Sequence, residues 1–408
     1  MGKLEILKIE KSTASCANNQ QCLFNHSVIA HATVESILCQ KSPVESTKQE
    51  NENTMYLAPN ELVRQSVFFN EPTVTPKNYA QDWSNYNLAQ MNEKSRFQEL
   101  LFELCSQIED FPRKNVQGRN RIPLADMVFS IVYKIYTGIS GRRFISDLAT
   151  AHAKGFISKR PHFNSLYNYL ELDEMYFILQ SLIRESAAPL RSVEIDFAVD
   201  SSGFSKGQKI IANWNTAKHR DKNVVIGDWL KCHLICGVKT NIVANVEITE
   251  GTAHDYAQFK PLVQRTAQHF DLHHVTADKA YLSADNFRYV ADRGGMAFIP
   301  FKSNSIPNRK KPDELWRNMF YFFQLRRNEF MDYYHKRSNV ETTFSMIKAK
   351  FGERLRSKTE KAQINELLCK VLCHNLCCVV SAIYELGIET NFYRIANRSG
   401  DSDLMQNS

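Results

Sequence analysis

The sequence has little that would take it out of the ordinary globular class. No uncharged apolar run reaches the ~18 residues that a membrane helix needs, and the most apolar stretch, LLCKVLCHNLCCVVSAIYELGI, is interrupted by Lys370, His374 and Asn375. It is expected to be a core helix, and no membrane partner is expected. The opening MGKLEILKIEK offers no apolar centre for a signal peptide. Ten cysteines in 408 residues are unevenly placed and form no disulfide framework. Reduced thiols in a cytoplasm are the expectation. Cys369, Cys373 and Cys377 recur beside Leu368, Leu372 and Leu376, as a packed helix stripe does, since free cysteine packs as a small hydrophobe. No internal repeat is present.

What is present is positive charge, and it is concentrated. The formal net charge is +7, and between Phe301 and Lys361 fifteen Lys or Arg stand against seven Asp or Glu. A clustered excess of this kind points toward polyanions such as nucleic acid, or else to a solvated helix face.

The chain divides by pattern. Residues 1–40 form a small unit in which Cys16, Cys22, His26, His31 and Cys39 are zinc-ligand types at spacings that fit no strong signature. Residues 41–62 are polar and Pro-containing, as in a linker. Residues 63–188 carry helical periodicity, with a start near Pro123 and a stop near Gly138. Within them SGRRFISDLATAHAKGFISKRPHFNSLYNYLEL reads as two short helices separated by Gly155 and Pro161, with Arg142, Arg143, Lys154, Lys159 and Arg160 around them. A helix-turn-helix DNA reader has this appearance, as do many helical hairpins.

Residues 189–388 change period. VEIDFAVDSSGF, KCHLICGV, IVANVEIT, HHVTADKAY and MAFIPFK are strand-like, with KTN as a hairpin turn and LSADNFRYVADRGG as a helix before the last strand. The order predicts a mixed α/β sheet with an antiparallel portion. From Asp313 to Phe351 there is neither glycine nor proline, which permits long helix. Residues 389–408 are a polar tail.

Three acids stand out. Asp200 is expected at the C-terminal end of its strand and Asp278 at the end of another, so the two would meet at one sheet edge if the strands are neighbours. Glu341 would join them from a helix whose buried face is Val340, Phe344, Ile347 and Phe351. Tyr334, Arg337, Glu341 and Lys348 fall on one helical stripe. Acids brought this close resist ionisation unless a cation joins them, and all-oxygen donors suit Mg2+ or Mn2+. Each acid also has an ordinary structural role open to it: Asp200 in a turn, Asp278 as a cap, Glu341 paired with Arg337 or Lys348. Asp196 shares Asp200's strand face, and periodicity does not choose between them.

FAVDSSGF, VTADKAYLS and YHKRSNVETTFSMIKAKFG together resemble the catalytic domain of DDE insertion-sequence transposases, with Tyr-x2-Arg-x3-Glu-x6-Lys complete at Tyr334, Arg337, Glu341 and Lys348. The resemblance runs from about Tyr79 to Ile388. It implies an RNase H-like mixed sheet flanked by helices, preceded by a helical DNA-binding region. It also implies Asp200, rather than Asp196, with Asp278 and Glu341 as catalytic and metal-binding triad, holding Mg2+ or Mn2+ as a pair of ions. Tyr334, Arg337 and Lys348 are implied on DNA, with Arg142, Arg143, Lys159 and Arg160 as further DNA contacts. The partners implied are double-stranded DNA, as element ends and target, and further copies of the chain in a homodimer or higher oligomer. The location implied is cytoplasmic, nucleoid-associated and prokaryotic. Some members carry an N-terminal zinc module; here its Cys pairing is incomplete and zinc is not expected. Trp316 is a candidate to stack on a displaced base but sits in a core-like context, and His254 and Asp255 match a family pattern with no derived role. The activity implied is cutting and joining at terminal inverted repeats. The alternatives are an RNase H-like nuclease without strand transfer and a DNA-binding protein that no longer catalyses.

Overall fold

A computed structural model describes residues 82–110, 121–207, 229–307, 313–390 and 392. The expectations for the N-terminal unit, its zinc ligands, the linker and nearly all of the tail lie outside the described residues. A helical part comes first: α1 (Trp83–Cys105), α2 (Leu124–Thr137), α3 (Ile145–Ala153), α4 (Phe163–Leu170) and α5 (Asp173–Ala187). Helix α2 follows Pro123 and ends at Gly138, whose φ of 67° is the left-handed cap that glycine adopts without strain. Gly155, at φ 81°, turns the chain out of α3.

The sheet follows. Strands β1 (Asp196–Ser205), β2 (Trp229–Gly237), β3 (Val243–Glu250), β4 (His274–Ala277) and β5 (Met296–Phe298) are ordered β3-β2-β1-β4-β5. β1 to β3 form an antiparallel meander, and β1, β4 and β5 are parallel. This is the RNase H-like arrangement. The β2–β3 turn carries Asn241 at φ 60°, a conformation asparagine tolerates better than most residues. The crossovers are α6 (Tyr256–Ala267) and α7 (Ala284–Ala291), and then come α8 (Glu314–Leu325), α9 (Arg327–Tyr334), α10 (Ser338–Phe351) and α11 (Glu360–Leu386).

Successive side chains of a strand point to opposite faces, and β1 shows which helices cover which face. Asp196 and Asp200 reach the turn before α10, whereas Ser201 bonds Asp255 just before α6. Helix α10 docks through Val340, Phe344 and Ile347, buried as its apolar period predicts, each contributing roughly 1.5–3 kcal/mol by burial, whereas Phe351, expected on the same face, is only half-buried at the helix end. Helix α11 is long and apolar enough to cross a membrane, with a mean hydropathy of 1.7 over its best window, but 78% of that window is buried inside the fold. It packs against α1, α2 and α5 as well as β3. Its polar residues are used internally: Asn375 bonds both backbone groups of Val243, and Lys370 donates to the carbonyls of Gly352 and Arg354.

Two local expectations fail. β1 does not end at Asp200; it continues through Ser205, because Ser201 to Ser205 pair with His233 to Trp229. The stretch from Asp313 to Phe351 is not one helix. It breaks at Arg326 (φ −122°, ψ 48°) and again at a 3-10 turn, His335–Arg337.

Candidate active site

The parallel register sets Val199 opposite Ala277, so Asp200 and Asp278 follow at neighbouring positions on adjacent strands. Asp200 is mid-strand on the edge where β4 stops. Asp278 leaves β4 and caps the Lys279–Tyr281 turn, its carboxylate accepting from the Lys279 N–H at 2.6 Å. Glu341 enters from the first turn of α10.

Arg337 ties the helix to the sheet. Its Nη1 donates to Asp200 Oδ2 at 2.8 Å, and its Nη2 pairs with Glu341 four residues on. The guanidinium fork thus spans two of the three acids, with Asp200 and Arg337 each about one-fifth exposed and Glu341 more than half exposed. Fixed donors in a planar fork make this stronger than a lysine contact would be. The capping role of Asp278 and the Arg337 pairing of Glu341, both open from sequence, are therefore realised.

Charge is not balanced here. The Asp200 carboxyl is pushed up to about 6, first by burial and further by repulsion from Asp278 and Glu341, while the Ser201 N–H and Arg337 pull the other way. A carboxyl so placed gains from any additional positive charge. The three donors are hard oxygens, which fit Mg2+ or Mn2+. Among the described residues no group of three acidic, histidine or cysteine side chains is closed up as a ready-made metal cage; Arg337 supplies the positive charge that Asp200 and Glu341 share.

The remaining candidates lie at several places in the fold. Tyr334 ends α9, half-buried, with the Arg337 guanidinium 5.9 Å from its ring centroid; burial raises its hydroxyl pKa. Tyr334, Arg337 and Glu341 therefore sit on three successive elements instead of one helical stripe. Lys348 pairs with Glu353 at 3.0 Å and covers the Phe204 ring. Arg142, Arg143, Lys159 and Arg160 are exposed, Arg142 lying over the Phe163 ring. Trp316 is 6% exposed and donates its indole N–H to the Ile306 carbonyl, a core position. His254 is exposed, and Asp255 gathers Ser201, Lys231 and His233 on the sheet face opposite Asp200.

Sequence reasoning missed one group. Asp196 Oδ1 lies 2.7 Å from His274 Nδ1, and its Oδ2 accepts from Lys336 Nζ at 2.6 Å. Burial alone would raise the Asp196 pKa, but the His274 and Lys336 contacts outweigh it and bring it below the usual carboxylate value. The available signal was a spacing of four: Asp196 precedes Asp200 by two repeats of the strand alternation, on one face of β1, and His274 precedes Asp278 by the same four residues.

Asp200 on β1 and Asp278 just past the end of β4 thus stand at one edge of the sheet, with Glu341 joined to Asp200 through Arg337. Residues 191–376 match the transposase DDE domain family, a family whose chemistry is DNA cleavage and transesterification with divalent metal ions. Comparison with curated proteins finds no match. Among solved structures, a piggyBac transposase synaptic complex with hairpin DNA is similar over 78% of this chain and 79% of that one, at 12% identity and a TM-score of 0.37, too distant a likeness to bear on function.

Proposed function

We propose that this protein is a transposase that binds the terminal inverted repeats of an insertion sequence and cuts and joins DNA there, with Asp200, Asp278 and Glu341 as its catalytic acids. The observation that carries the reading is the β1/β4 register, which makes Asp200 and Asp278 neighbours, together with the Arg337 fork that joins Asp200 to Glu341. The three acids would hold a pair of Mg2+ or Mn2+ ions, which when bound supply Lewis acidity at phosphodiester oxygens. Arg337, once a cation neutralises its two carboxylates, presents its fork to a DNA phosphate, and Tyr334 and Lys348 flank it. Arg356 donates to the Gly138 carbonyl at 2.6 Å, so the segment after Lys348's helix meets the turn leading to Arg142 and Arg143. This supports a DNA path that runs from the acids toward Arg142, Arg143, Lys159 and Arg160. The active species is a homodimer or higher oligomer on paired ends, in a prokaryotic cytoplasm.

The test incubates the purified protein with duplexes that carry the inverted termini flanking its gene, in Mg2+ or Mn2+. End cleavage followed by joining to target DNA is expected. Cleavage without joining would indicate a nuclease, and binding without either would indicate a retained DNA-binding protein.

A further inference from the structure

Beside the three acids lies a second group, built on β1, on β4 and on the 3-10 turn that leads into α10. Asp196 on β1 is four residues before Asp200, His274 on β4 is four before Asp278, and Lys336 in the 3-10 turn is five before Glu341. Asp196 and His274 are register partners in the sheet. A single carboxylate therefore binds both neighbours at once, His274 Nδ1 at 2.7 Å and Lys336 Nζ at 2.6 Å. His274 is in turn held edge-on by Phe298, ring centroids 5.4 Å apart, and lies 5.0 Å from the Tyr333 ring. Lys336 Nζ also lies over Tyr333.

We infer that Asp196, His274 and Lys336 are positioning residues: a charge-satisfied latch that fixes the distance of Glu341's helix from the two strand-borne aspartates, and so sets the geometry in which the triad takes a divalent cation. The inference rests on the metal-binding reading of Asp200, Asp278 and Glu341. Its physical basis is that α10 enters through a short 3-10 turn with no side-chain cap. In that turn the Lys336 and Arg337 side chains each hold β1, at Asp196 and Asp200 respectively. Arg337 must release Asp200, at least in part, for that acid to serve a cation and a phosphate. Lys336 is bonded to Asp196 and to no member of the triad, so its hold on the sheet persists while Arg337 moves.

The test uses the full-length protein without DNA and follows free Mn2+ by electron paramagnetic resonance. Wild type is expected to bind Mn2+, and Asp200→Asn to lose that binding. Lys336→Met keeps the aliphatic stem on Tyr333 and removes the charge; it is expected to weaken Mn2+ binding roughly 10- to 100-fold, the usual cost of losing a group that orients a metal ligand, with the circular dichroism spectrum unchanged. Lys336→Arg is expected to recover most of the loss, and Asp196→Asn, which removes the charge that both contacts rest on and one of the two acceptor oxygens, to weaken binding at least as much as Lys336→Met. Lys361→Met, which removes an exposed pair with Asp173, serves as the indifferent control. If Lys336→Met and Asp196→Asn bind Mn2+ as tightly as wild type, the latch is overturned while the metal reading stands. Wild-type binding that Asp200→Asn leaves untouched removes the metal reading and the latch with it.

Discussion

Asp196 and Asp200 sit on one strand, on one face, four residues apart, and their environments push them in opposite directions. Asp196 has a histidine and a lysine to itself and ionises more readily than an ordinary carboxyl. Asp200 shares one arginine with Glu341, faces Asp278, and ionises less readily, near 6. The difference separates two jobs. A fully paired buried carboxylate holds elements together, whereas one left short of positive charge is a place where an added cation lowers the free energy.

The largest effect that sharpens this contrast is on catalysis. Asp200→Asn or Glu341→Gln should reduce DNA cleavage by about a thousandfold or more, on the order of 4 kcal/mol in the barrier, with DNA affinity retained in a gel-shift assay. Loss of folding in place of loss of cleavage would assign these acids a structural role.

Next comes Arg337→Ala. Removing the fork leaves Asp200 and Glu341 unpaired, and charge-assisted bonds at such partly buried positions are worth roughly 1.5–3 kcal/mol, so the ion-free protein should melt earlier by that measure. Mn2+ should then raise the melting temperature of the variant more than that of wild type, because the ion takes over the neutralisation. Equal stabilisation of the two would show that the guanidinium and the ion do not compete.

Carboxyl 13C titration of the two aspartates gives a smaller but direct reading. Asp200 should titrate near 6 and Asp196 below the ordinary value of about 4. The signs for stability follow. The Asp200 contribution makes the ion-free protein less stable as pH rises from about 4 to about 6, since the native state holds the proton longer. The stability from Asp196 is complete above its ordinary value and is lost as pH falls through its lowered one. Coincident titrations would dissolve the contrast.

The smallest effect is expected at the surface. Lys348→Ala or Arg142→Ala should leave the melting temperature nearly unmoved and lower the log-log salt dependence of DNA binding by about 0.9 for each phosphate that is no longer neutralised. An unchanged slope would place these side chains off the DNA.

Much of the sheet was legible because strand alternation and turn residues are local signals; the KTN turn and the buried face of α10 fall where the pattern puts them. The end of β1 was not, because Ser201, Ser202 and Gly203 look like a turn and are held extended only by their partners on β2. The interruptions of the 313–351 stretch carry no glycine or proline. The second of them lies where Lys336 and Arg337 are drawn to Asp196 and Asp200, contacts with residues more than 130 positions away. The proposed triad was suggested by a motif, and periodicity gave no basis for choosing Asp200 over Asp196; what distinguishes the two in the fold is their partners, a histidine and a lysine on Asp196 and an arginine shared with Glu341 on Asp200.

The most direct test of convergence replaces Mg2+ with Fe2+ and adds ascorbate and peroxide, so that radicals formed at the bound ion cut the nearby backbone. The account predicts three cuts, close to residues 200, 278 and 341, all suppressed together by excess Mg2+. Cuts confined to one of these places, or elsewhere and indifferent to Mg2+, would contradict it.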